Sequence, residues 1–215
     1  MTDLGAYEPA RDCSLCPRLV AYRELNIRQE PDWYNGPAPS FGDVNGQLLV
    51  VGLAPGCTGA NRTGRPFTGD WAGDLLYATI AKVGLSVGYY DARPDDGLTL
   101  TGVMITNAVR CAPPLNKPEP REISTCASFL KAQIVSMPNL TTLICLGKIS
   151  HDATIRTLGG KLSAYGFGHG ARHHIGGYHV FDSYHCSRYN TNTGRLTSEM
   201  FEAVFDAAVL CSRST

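Results

Sequence analysis

The sequence lacks any stretch approaching the ~18 consecutive apolar residues that a membrane-spanning helix requires. Its first residues do not follow the basic, apolar, small-residue order of a secretory signal, so the expectation is a soluble, cytoplasmic chain without a membrane partner. Charge of one sign is missing too: 19 Lys and Arg balance 19 Asp and Glu, and no global field advertises a polyanionic partner. There is no internal repeat. Neither a P-loop nor a GxGxxG run is present, which removes the commonest phosphate-binding motifs. The 215 residues, 43% hydrophobic and 18% charged, suffice for one α/β domain with a sizeable core and not comfortably for two. Residues 1–12 read as a loose arm.

What is present is a regular alternation of apolar strands and amphipathic helices. Residues 47–53, 103–108, 142–146 and 178–184 are near-continuous apolar runs, as strands buried on both faces would be. Helical spacing follows each of them: Trp71, Leu75, Ala78 and Val83 in one segment, Ile123, Cys126, Leu130 and Ile134 in another, then residues 150–158 and 197–210. This order predicts a single α/β domain over residues 1–215, a four-stranded parallel sheet sandwiched between helices with its functional loops after the strands. Three of those loops carry chemistry. They are GLAPG and NRTGRPFTGD at 52–56 and 61–70, NAVRCAPP at 107–114, and HCSRYNTNTGRLT at 185–197. Between Arg156 and Arg195 five Lys or Arg face one acid, Asp182, so the neutral total conceals a basic face that includes the glycine-rich loop 166–174.

Eight cysteines in a chain read as cytoplasmic point to ligation more than to disulfides. Cys13 and Cys16 are spaced CxxC, and fourteen residues separate Cys111 from Cys126. Two such pairs suit tetrahedral zinc or a four-iron cluster, and spacing does not separate the two. The plainer alternative makes Cys111 and Cys126 small buried hydrophobes. Cys145 and Cys211 read as core or inert, and His151 and His179 as structural.

Taken together, the four cysteines and the three loops resemble the uracil-DNA glycosylase superfamily, specifically its iron–sulfur-containing family 5 (type B), from Cys13 to the final helix. The resemblance implies a structural [4Fe-4S] cluster on Cys13, Cys16, Cys111 and Cys126, with zinc as the alternative. It also implies a monomer that acts on DNA containing uracil or other deaminated bases. Such an enzyme flips the base from the duplex and hydrolyses its N-glycosidic bond in base excision repair. In that scheme Phe67 stacks on the base, the Asn107 amide reads its edge, and Gly52, Ala54 and Gly56 complete the base pocket. His185 donates to the base oxygen that gains charge.

Family 1 carries an Asp at the place of Ala54 and family 4 a Glu at the place of Leu53. Both positions are apolar here. The resemblance implies that Asp70, the nearest carboxylate, acts on the water. Two alternatives stand against it: that this Asp is only a helix cap, and that backbone groups orient the water while substrate phosphates stabilise the cationic sugar. Gly56 stands where family 1 has a bulky aromatic, and its small size implies a wider base range that includes hypoxanthine. Arg62, Arg65, Ser187, Arg188 and Tyr189 are the expected DNA contacts, with Tyr189 or Arg188 filling the gap left by the base. The three loops offer no lysine for Schiff-base chemistry, so the expected activity is monofunctional. Two rivals remain: a noncatalytic iron–sulfur or zinc protein that binds single-stranded DNA, and a nucleotide-binding α/β enzyme.

Overall fold

The computed structural model describes residues 7–214. In chain order they form α1 (Pro17–Gln29), β1 (Phe41–Gly42), β2 (Leu48–Gly52), α2 (Ala60–Thr63), α3 (Trp71–Lys82), β3 (Ser86–Val87), β4 (Thr99–Leu100) and β5 (Val103–Asn107). There follow α4 (Pro120–Ser136), β6 (Thr142–Leu146), α5 (Lys148–Thr157), β7 (Arg172–Ile175), β8 (Tyr178–Ser183), α6 (Arg188–Asn192) and α7 (Ser198–Arg213).

The four expected strands lie side by side and parallel in the order β5-β2-β6-β8. The sheet is wider than the sequence suggests, because β1 and β7 add antiparallel edges and bring it to six strands. β7 arises from part of the segment read as a basic glycine-rich loop. Gly176 and Gly177, with φ of 60° and 86°, make the two-residue turn that folds Arg172–Ile175 back on β8. A Gly-Gly turn between short extended segments is a hairpin signal that the cluster of His and Arg obscured.

Every residue of β2, β5 and β6 is buried, as the continuous apolar runs require. Leu48, Val50, Ile105 and Ile144 face α3 and α7, where they meet Leu76, Ile80, Phe201 and Phe205. Leu49, Val51, Leu143 and Val180 face the other way, against Leu130 and Ile134 of α4 and Ala153 and Ile155 of α5. α4 is fixed at its start by Pro120 at the first position and by a reciprocal capping box between Glu119 and Glu122.

The expected loose arm is corrected in its described part, whereas residues 1–6 lie outside the described residues. Tyr7 is buried, and Glu8 accepts from Ser40 N at 2.9 Å and from the Arg110 guanidinium at 3.0 Å. Arg110 is itself fully enclosed, so Glu8 supplies a charge that a buried guanidinium needs. A lone carboxylate in a polar N-terminal segment gives no sign of that partner, 102 residues away.

Candidate active site

The carboxyl ends of β2, β5 and β8 converge on an open cavity of about 500 Å³. This is where an α/β sheet places a ligand. Gly52 and Asn107 are register partners on adjacent strands, so the glycine lies directly beside the amide. A Cβ on Gly52 would stand 2.3 Å from Asn107 Oδ1 and 2.6 Å from the Phe67 ring. The floor of the cavity therefore closes only around a glycine. Asn107 is buried, and its Oδ1 has no hydrogen-bond partner among the described residues. A buried acceptor without a donor carries an unrecovered desolvation cost, and a ligand N–H would remove it. Beside it Phe67 holds a left-handed backbone, φ 52°, a conformation that costs a bulky residue of order 1–3 kcal/mol. Tyr90 Oη donates to the Phe67 carbonyl at 3.2 Å and Tyr77 Oη to that of Pro66 at 2.7 Å, which holds the turn in place.

Asp70 does two things at once. Its Oδ1 accepts from Gly73 N at 3.3 Å and caps α3, while Oδ2 turns toward the segment after β2. A Cβ on Gly59 would sit 2.3 Å from that Oδ2, and one on Gly56 at 3.2 Å. Burial pushes the Asp70 carboxyl up, against the opposing effect of the α3 amides, and Asp74 adds a like charge. No cation pairs with Asp70 among the described residues. A desolvated, unpaired carboxylate oxygen at a cavity wall has the basicity and the position to take a proton from water.

His185, two residues beyond β8, lies with its ring 6.0 Å from that of Phe67 and tilted by 30°. Desolvation alone drives its pKa down to about 4, so at neutral pH it is an uncharged imidazole. Its backbone carbonyl accepts from Asn190 Nδ2 at 2.8 Å, which ties the loop to α6.

The rim is built from short elements. Ser187 caps α6 by accepting from Asn190 N at 3.5 Å, and both Ser187 and Arg188 line the cavity. The Arg188 guanidinium stands 5.5 Å over Trp71, whose Nε1 donates to Thr191 Oγ1 at 3.0 Å. Tyr189 is 71% exposed and is not among the residues that line the cavity. Arg62 is exposed and clasps the loop through the Thr58 carbonyl at 2.8 Å.

Arg65 is the site residue the structure corrects. It is 4% exposed, bound by both guanidinium ends to Asp96 at 2.8 and 2.6 Å, donates to Thr68 Oγ1 at 2.7 Å, and lies over Phe41, Tyr77 and Tyr90. Its role is to anchor the turn that carries Phe67, not to meet DNA. Trp71, Asn116 and Cys57 line the cavity and were not singled out from the sequence. Trp71 was read as a core position of α3, and Asn116 sits in a left-handed turn (φ 55°) that no local motif announced.

Behind this site, Cys13, Cys16, Cys111 and Cys126 surround one small void. Burial and their mutual repulsion push Cys111 up to about 12 and Cys126 to about 11. Arg110 N donates to Cys126 Sγ at 3.4 Å. Arg23 donates to the Cys13 carbonyl at 3.0 Å, and its Nη1 is buried without a partner among the described residues. Four thiols and an unsatisfied guanidinium N–H fit an anionic centre held as thiolates.

Fold and site together define a doubly covered α/β domain whose loops form a nucleoside-sized cavity with a stacking ring, an amide reader and a carboxylate. Residues 39–208 match the family model described as the uracil DNA glycosylase superfamily. The type-5 uracil-DNA glycosylase of Thermus thermophilus is 47% identical over 196 residues, covering 88% of this chain and 89% of that protein. The type-5 uracil-DNA glycosylase of Pyrobaculum aerophilum is 39% identical over 92% of this chain and 88% of its own length. The type-4 uracil-DNA glycosylase of Sulfurisphaera tokodaii is 31% identical over 82% and 77%. The chain belongs to the uracil DNA glycosylase superfamily, among its type-5 members.

Proposed function

We propose that the protein is a monofunctional DNA glycosylase of base excision repair that releases uracil, hypoxanthine and related deaminated bases. The observation that carries this is the orphaned Asn107 acceptor beneath the cavity, next to the ring of Phe67, which a left-handed backbone holds in place. A flipped uracil supplies N3–H to that acceptor, O4 to the amide N–H, and a face to stack on Phe67. As the bond between C1′ and the base nitrogen breaks, its electron pair leaves with the base and the sugar becomes oxocarbenium-like. Neutral His185 donates a hydrogen bond to the base oxygen where negative charge collects. Asp70 Oδ2 takes the proton of a water that adds to C1′. No lysine lines the cavity among the described residues, which supports hydrolysis without a Schiff base. Gly56 and the cavity volume favour a range that extends to a purine.

The four cysteines would hold a structural [4Fe-4S] cluster. The four thiols around one void and the buried, unpartnered Arg23 Nη1 beside them support an anionic thiolate centre there, with tetrahedral zinc as the alternative. The cluster supplies no step of the chemistry. Backbone contacts fall to Arg62, Ser187, Arg188 and Tyr189, on a protein that acts as a cytoplasmic monomer. No helix among the described residues is long and apolar enough to cross a membrane.

Release of free base from uracil- and hypoxanthine-containing oligonucleotides tests the reading. Turnover with both, leaving intact abasic strands, is the expected result. Binding without release from either would make it a single-stranded DNA-binding protein instead.

A further inference from the structure

Beneath one wall of the site lies a group of titratable side chains that the reaction does not use. His151 of α5 and Asp182 of β8 are fully buried, and His173 of β7 is nearly so. His151 Nδ1 lies 2.8 Å from Asp182 Oδ1, and its Nε2 lies 3.0 Å from the Tyr165 carbonyl oxygen. Both ring nitrogens thus face oxygen acceptors. Beside an ionised Asp182, a neutral imidazole has one N–H and would leave one of these contacts as lone pair against lone pair. Asp182 Oδ2 also faces His173 Nε2 at 3.1 Å and Gly168 N at 3.5 Å, an arrangement in which a carboxylate accepts from several donors. With Asp182 held as a carboxylate by these donors, the protonation that satisfies every contact is an imidazolium on His151.

The backbone continues the same clasp. Gly170 N donates to the Asp182 carbonyl at 2.8 Å, and Asp182 N to that of Ala171 at 3.0 Å. The loop so held delivers His169, whose Nδ1 accepts from Tyr184 N at 3.2 Å and whose ring stacks on Tyr184 at 5.0 Å. It also delivers Phe167, which shares a cleft with Tyr184 and His185. We propose that His151 and Asp182 are positioning residues: a buried imidazolium–carboxylate pair that clamps loop 165–171 and, through Tyr184, fixes His185 over the base pocket.

The inference rests on the glycosylase reading for its effect on rate, but not for its effect on the loop. The groups facing the pair are His173 and the Tyr165 carbonyl, with Asp152 on α5 (held by Lys148) and Cys145 on β6, whose thiol burial keeps protonated. His151 has its pKa raised by Asp182 against desolvation, so the pair is complete below about pH 6.5 and is lost as pH rises through the raised value. The same three side chains place ligating atoms within 4.8 Å of one another, as a metal would require, yet both His151 nitrogens are already committed.

Nitrogen-15 NMR of the imidazole rings, amide hydrogen exchange over 166–171 and uracil release, each from pH 6 to 10, test the proposal. The expected result is a doubly protonated His151 at pH 7. On its deprotonation, protection at Gly168 and Gly170 should fall at least tenfold, with a parallel fall in kcat. His151→Gln should abolish that alkaline step in both readouts, and Asp182→Asn should leave the loop amides unprotected at every pH. A neutral His151 at pH 7, or an alkaline step that survives in His151→Gln, overturns it. So does a rise in Tm on adding zinc alone that His151→Gln removes. If Asp182→Asn does not fold, the His151→Gln comparison still decides. If the protein releases no base at any pH, the functional reading fails while the ring protonation and loop exchange still decide this one.

Discussion

The loops after β2 and β8 meet at the same cavity and are built in opposite ways. The first is strapped from behind: Arg65 is sealed against Asp96 and three aromatic rings, Tyr77 and Tyr90 hold its carbonyls, and Asp70 ends it as a helix cap. The second reaches outward, with Arg188 and Tyr189 exposed on a five-residue helix. Parts that must meet a base within a few tenths of an ångström need a fixed scaffold. Parts that meet a mobile polyanion need charge and reach. The comparison teaches that two arginines in loops of similar composition can do unrelated work.

The largest effect is expected from the rigid loop. Asp70→Asn should lower kcat by about 10²–10⁴, the range of a lost general base. Asn still caps a helix, and the substitution removes a charge whose burial is unfavourable, so Tm should be no lower than wild type. A variant that keeps near-full rate would reduce Asp70 to its cap. Because its carboxyl pKa is raised, the acid limb of the rate should lie above the usual carboxylate range and should vanish in the variant.

Arg65→Met sharpens the contrast. Removing one partner of a buried pair costs about 3–5 kcal/mol. Denaturant unfolding should show that loss, while the salt dependence of DNA binding stays as in wild type. Arg65 holds Asp96 well below the usual carboxylate range. That part of the stability is present above about pH 3.9 and fades as pH falls below it. His185→Ala should leave stability close to wild type and cost about 10²–10³ in kcat, the measure of one lost donor to a developing anion.

The sequence made the scaffold legible wherever one residue type served one purpose. Fully apolar strands announced themselves by composition, and the placement of Gly52 and Asn107 followed from their being at strand ends, whereas Phe67 sits in the turn that opens α3. Arg65 was misread because its partner, Asp96, is 31 residues away in a polar connection, and local charge does not tell a phosphate ligand from half of a buried pair. His151 could be seen as structural, but not as clamped between Asp182 and a carbonyl, since those contacts exist only once β6, β8 and α5 are packed. The hairpin of β7 and β8 was hidden by the basic residues that made the segment look like a ligand loop.

The smallest expected effect is the one that isolates the outward loop. Arg188→Ala removes an exposed guanidinium that stands over Trp71 at the cavity mouth. Unfolding free energy should move by no more than about 0.5 kcal/mol, as for an ordinary surface site. If Arg188 meets one phosphate, the slope of log K against log salt should become shallower by about one, with a weakening of binding that does not depend on which base is flipped. An unchanged slope would put Arg188 beside Arg65 as scaffold, holding Trp71 and the start of α3, and would leave Arg62 to supply the charge. A shallower slope with unchanged kcat at saturating DNA separates gripping from chemistry, because contacts made equally in ground and transition states alter binding and not turnover.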